Sequence, residues 1–138
     1  MFDLTSLNWL AILLATVVYF MLGGLWFASF AFQKLWDISV GFNRSQTWRP
    51  GLQYYTVPFI GCFVISLATA LLLDATKVQS FANAITLGLI TGVGYAAAIT
   101  GILAISPTIP RPGVYTLVIG SSHVIGIVGV SVIIFALK

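Results

Sequence analysis

Four apolar runs dominate the chain, at about residues 7–32, 54–73, 80–105 and 113–137, and none contains an Asp, Glu, Lys or Arg. About 20 helical residues, at a rise of 1.5 Å each, cross a hydrocarbon core of roughly 30 Å. Each run is long enough to span. Lipid offers no water to a free N–H or C=O, so runs of this kind satisfy their backbones as helices. The first run exceeds the length required and is expected to tilt or protrude.

Composition agrees. Hydrophobic residues make up 59% of the 138 and charged residues 7%, against about 25% charged in a soluble domain. The expected architecture is all-α: an integral membrane four-helix bundle forming one four-span domain over residues 1–138. A dispersed net charge of +3 excludes the clustered basic surface that nucleic acid needs. The lone Cys62 excludes an intrachain disulfide and a Cys-rich metal site. Inside an apolar run it reads as a small buried hydrophobe. The amino terminus has Asp3 where a signal peptide has Lys or Arg, so the first run is expected to be a retained span, capped by Thr5 or Ser6.

Four spans place both termini on one side. Lys34, Arg44, Arg49 and Arg111 fall on the opposite side, and Lys77 and Lys138 on that of the termini. Four against two favours cytoplasmic 1–2 and 3–4 links, with both termini outside. Asn43-Arg44-Ser45 matches a glycosylation acceptor but then faces the cytoplasm and is taken as chance. The two hairpins, 1–73 and 74–138, are weak candidates for a parallel repeat, with Asn8 and Asn83 opening their first spans.

The 1–2 link is long and aromatic. Trp26, Lys34, Trp36 and Trp48, with Trp9, Tyr54 and Tyr55, suit an interfacial belt, where half-apolar rings and snorkelling lysines sit at headgroup level. Residues 36–43 alternate apolar and polar, as an extended segment would. Leu35, Ile38 and Phe42 also allow a short interfacial helix. Trp48 to Gly51 reads as a turn, and Pro107, Pro110 and Pro112 stiffen the 3–4 link.

Helices approach closely in lipid through small residues. Ala84, Gly88, Gly92, Ala96 and Thr100 recur every four residues in the third run, which marks that span as central or as a subunit interface. Gly23 and Gly24 in the first run, Cys62, Ser66 and Ala70 in the second, and Ser122 and Gly126 in the fourth supply further small faces.

His123, the sole histidine, lies near mid-membrane. An ionisable residue there is a functional candidate. The bland expectation is a hydrogen bond across the bundle to Ser66, Thr69, Thr91, Thr100 or Tyr95. Binding of a haem or pigment would make it the ligand, but no cofactor is expected. Tyr95, Thr91 and His123 are the candidates for a polar path. Tyr19, Asn83, Thr86 and the Ser121-Ser122 pair are expected, with them, to cross-link helices at roughly 0.6 kcal/mol each. No catalytic constellation or metal cluster is visible.

Asn8-Trp9-Leu10-Ala11, Leu22-Gly23-Gly24-Leu25-Trp26-Phe27 and Phe32-Gln33-Lys34-Leu35-Trp36 together resemble the amino-terminal signature of a bacterial four-helix membrane family catalogued as domain of unknown function 1761. The Arg111-Pro112 link and the His123 helix resemble its carboxy-terminal part. That family tends to follow its Leu-Trp with Tyr-Ser-Pro, which bends the helix out of the membrane. Phe27-Ala28-Ser29 has no proline, so a straighter first helix is expected. The resemblance implies the fold and a bacterial inner membrane, and it supplies no site residues.

The expected function is that of a non-enzymatic accessory or scaffold subunit, packing in the bilayer as a homo-oligomer or within a larger membrane complex. The alternative is a small-solute or ion channel or transporter with a polar path near His123.

Overall fold

The computed structural model describes residues 4–138, so Asp3 and its place at the amino terminus lie outside the described residues. The described residues form helices joined by irregular links, with no strand among them: α1 (Trp9–Trp26), α2 (Gln33–Val40), α3 (Gln53–Ala75), α4 (Phe81–Thr91), a π-helical turn (Gly92–Ala97), α5 (Ala98–Ala104) and α6 (Pro112–Ala136). Segment α4, the π turn and α5 form one continuous span. With α1, α3 and α6 it makes four helices long and apolar enough to cross a membrane.

The first helix is shorter than expected at both ends. Asn8 caps it, accepting from the Ala11 amide at 3.1 Å, in place of Thr5 or Ser6. The Asn8 amide also donates to Leu137 O at 2.7 Å, tying the start of α1 to the end of α6. The helix stops at Trp26 instead of running straight through Ala28-Ser29. Phe32 N–H folds back onto Trp26 O at 2.9 Å, and the Trp26 and Phe32 rings stack with centroids 4.5 Å apart. Trp26 Nε1–H donates to Val118 O of α6 at 3.0 Å. A pinned indole ends the helix without a proline.

Of the two forms allowed for the 1–2 link, the helix is the one adopted. Gly41 closes α2 in the left-handed conformation (φ 67°), which glycine adopts without a Cβ penalty. The turn expected at Trp48–Gly51 falls earlier, closed by Trp48 N–H to Ser45 O. The two links meet on the same side, as four spans require. Arg111 N–H donates to Ser39 O at 3.2 Å, and Pro110 lies against Gly41.

The centre of the bundle is α6, not the third span. It packs against α1, α2, α3 and every segment of the third span. Its small residues explain this, because they open more than one side. Gly120 receives Ala97 of the third span, whereas Gly126 receives the Tyr19 ring of α1. The third span presents the glycines of its small ridge to α6. A Cβ on Gly88 would lie 2.8 Å from Val128 Cα and 2.9 Å from Ser131 Oγ; one on Gly92 would lie 3.0 Å from Val124 Cα. Ala84 and Thr100 are buried on the same ridge, and Ala96 packs at the edge of the core. The π turn inserts one residue into the four-residue spacing, so Ala97 stands over Gly120.

The hydroxyls mostly serve their own helices. Thr16, Thr69, Thr86, Thr91 and Thr100 each donate to the carbonyl four residues back, and Ser121 and Ser122 donate within α6. This is the local bond such side chains make when they sit mid-helix, and it replaces the cross-linking expected of Thr86, Thr91 and the serine pair. Asn8 and Asn83 are not equivalent either: Asn8 is a cap, whereas the Asn83 amide is itself capped by Ser80 Oγ at 3.1 Å.

Candidate functional site

The third span packs tightly on α6. On the other side, α1, α3 and α6 share a buried core around Ile12, Ala15, Ala70, Leu73, Ile127 and Val130, and open only toward the 1–2 link. Between α1, α3, α6 and the 1–2 link lies a cavity of about 590 Å³. This lies within the range of small-molecule sites. It runs from mid-membrane residues to the aromatic link.

Glycine and proline make the room. Gly23 and Gly24 of α1 and Gly61 of α3 all line the cavity, and a Cβ on any of them would meet nothing within 4 Å. Gly23 and Gly24 were expected to be packing residues; they are openings instead. Pro58 lies inside α3 and lines the same wall. Having no N–H, it leaves Tyr54 O without its helical donor.

The floor is a pair of ionisable groups. Tyr19 Oη and His123 Nδ1 are 2.6 Å apart, with their rings edge to face. None of the partners foreseen for His123 takes this place. Gly126, one turn after His123, is what admits the tyrosine: a Cβ there would fall within the Tyr19 ring. Cys62 and Ser122 also line the floor, Ser122 with its hydroxyl already donated to Ile119 O. Ser66, one turn beyond Cys62, is fully buried, and its Oγ has no partner.

The mouth is aromatic and electrically paired. Trp36, Phe42, Trp48 and Tyr54 form a chain of ring contacts with centroids 5.4 to 6.2 Å apart. Arg44 sits among them, its guanidinium carbon 4.5 Å from the Trp48 centroid and 5.1 Å from that of Phe42. Its Nε and Nη2 donate to the two oxygens of Asp37 at 2.9 and 2.7 Å. These bonds hold the Arg44 pKa above its ordinary value. A bidentate pair of this kind is directional as well as strong, and it leaves the mouth without net charge from these two residues.

The expected belt therefore divides. Trp36, Trp48, Tyr54 and Tyr55 line the cavity, Trp26 docks α1 on α6, and Trp9 and Lys34 remain exposed. The expected polar path does not assemble. Thr91 bonds Leu87 O on its own helix, Tyr95 is 66% exposed on the π turn, and neither lines the cavity with His123.

The sequence offered one signal for the missed Tyr19–His123 contact. Gly126 follows His123 at a helical spacing of three and clears a slot beside the imidazole. The partner ring comes from the other end of the chain, and no local pattern names it.

No curated protein and no solved structure matches the chain. A family model does match, over residues 10–135, from the first turn of α1 to the end of α6. The chain thus belongs to the family described as Protein of unknown function (DUF1761).

Proposed function

We propose that this protein is a membrane-embedded binding protein for a lipid-soluble small molecule, which it holds in the cavity between α1, α3 and α6. The observation that carries this is the cavity itself, about 590 Å³ of space bordered by three glycines on which an added Cβ would meet nothing within 4 Å. Helices in lipid gain by close packing. A wide gap between three of them forfeits that gain unless something fills it. The lining suits an amphipath: polar at the floor, apolar along the walls, aromatic at the mouth.

Such a protein acts as an accessory subunit without chemistry of its own, holding a molecule for a neighbouring membrane protein. The small-residue ridge that suggested oligomerisation is occupied within the chain, so support for this role comes from the cavity. The mouth lies on the side of the two links. The excess of Lys and Arg there favours the cytoplasmic face of a bacterial inner membrane.

Native mass spectrometry of the full chain, released with its surrounding lipid, tests the proposal. The wild type is expected to retain one discrete small molecule besides bulk phospholipid. Gly61→Phe, which fills the cavity, is expected to lose it. Wild-type protein carrying only bulk phospholipid would overturn the proposal.

A further inference from the structure

The floor of the cavity carries more information than its volume. The Tyr19 hydroxyl is 2.6 Å from His123 Nδ1 and makes no other hydrogen bond among the described residues. Tyr19 is 5% exposed. A buried hydroxyl needs an acceptor, and Nδ1 is the one within reach. Nδ1 must then present its lone pair. If Nδ1 carried a proton instead, the tyrosine proton would have no acceptor. In the neutral imidazole one nitrogen accepts and the other donates. The imidazole proton is therefore on Nε2.

Nε2 makes no hydrogen bond to the described residues. It is not sealed either, since Ser66 Oγ is the one buried, unpartnered side-chain polar atom among them. His123 keeps open surface, and what it lines is the cavity. The floor thus exposes one N–H donor at mid-membrane depth. A donor left unpaired there costs free energy, and an oxygen with a lone pair relieves it.

The walls narrow the class further. Phe20 and Phe27 lie between floor and mouth, and Trp36 and Trp48 follow. Aromatic faces favour stacked or edge-on contact with a flat ring. Arg44 is already neutralised by Asp37, so the mouth does not call for an anionic headgroup.

We infer that the cavity binds an uncharged planar ring bearing a carbonyl oxygen, of the quinone class, with that oxygen accepting from His123 Nε2–H and Tyr19 fixing the tautomer. This rests on the binding function proposed above and names its ligand class. His123 is the binding residue and Tyr19 a positioning residue.

The test compares two probes of one shape: 2,3-dimethyl-1,4-naphthoquinone, and 2,3-dimethylnaphthalene, which lacks the oxygens. Both positions beside the quinone carbonyls are blocked, so Cys62 cannot add to the ring. Uptake is measured into nanodiscs holding the full chain, against empty nanodiscs. The quinone is expected to bind about tenfold more tightly than the hydrocarbon. His123→Leu should abolish that preference, and Tyr19→Phe should cut it about threefold. In the wild type, the single histidine gives one pair of imidazole ¹⁵N resonances. These should report a proton on Nε2, with the Nε2 signal moved by the quinone and not by the hydrocarbon. This readout stands even if a variant fails to fold. Equal uptake of both probes, or a proton on Nδ1, would overturn the inference and leave the binding proposal intact. Uptake of neither probe above empty nanodiscs would likewise overturn the inference, and the binding proposal falls separately, if the native protein carries only bulk phospholipid.

Discussion

The two sides of α6 use glycine in opposite ways. Toward the third span, Gly88 and Gly92 let backbones approach until a single methyl has no room: its nearest neighbours would be the α-carbons of Val128 and Val124, at 2.8 and 3.0 Å. Toward α1 and α3, Gly23, Gly24 and Gly61 border space. One side is a seam and the other a vessel. A small residue in a membrane helix is usually taken as a contact residue, yet this bundle shows that composition alone does not tell contact from vacancy. What distinguishes them is whether the facing helix supplies backbone or stays away.

Substitutions sharpen the contrast. Among substitutions that add or remove only a few atoms, the largest effect is expected where the two sides meet, at Gly126. Gly126→Ala drives a methyl into the Tyr19 ring and should cost about 3 kcal/mol, as overpacking of a tight core does. Unfolding of the variant in mixed detergent micelles measures this. Loss of the Tyr19–His123 bond should make Gly126→Ala and His123→Leu less than additive. At the mouth, Asp37→Ala leaves Arg44 without its carboxylate. The two side chains are 16% and 23% exposed, so the loss is tempered by solvent and should be about 1 kcal/mol. It should appear as faster proteolysis between Gly41 and Gly51. Trp26→Phe removes the indole donor to Val118 O and should cost about 0.6 kcal/mol in the same unfolding assay. The smallest effect has the opposite sign. Gly24→Ala meets no neighbour and should stabilise by about 0.5 kcal/mol, through lower entropy of the unfolded chain.

Much of the fold was legible because lipid imposes it. Four charge-free runs fix four helices, and their observed bounds fall within a few residues of expectation except at Trp26. That exception has a tertiary cause: the indole is held by a carbonyl 92 positions away. The four-residue ridge of the third span was also legible, and its partner is now identified as α6. Its centrality was not legible, because a small face reveals that a helix has a close neighbour, not how many it has. The site was legible in fragments. His123 stood out as a mid-membrane imidazole and the 1–2 link as aromatic. Their connection through one cavity depends on how α1, α3, α6 and the 1–2 link come together in three dimensions. The π turn is a local departure that an even periodicity conceals, whereas Pro58 stands openly within the second run.

The contrast between seam and vessel is tested most directly by one residue placed in both. Thermal unfolding of Gly61→Phe and Gly88→Phe, in nanodiscs and against the wild type, makes that comparison. Gly61→Phe is expected to melt within a few degrees of the wild type, since its ring enters existing space. Gly88→Phe is expected to lose the cooperative transition, since its ring must displace the α6 backbone. Equal destabilisation by the two substitutions would contradict the account, because it would mean that the space beside Gly61 is not there.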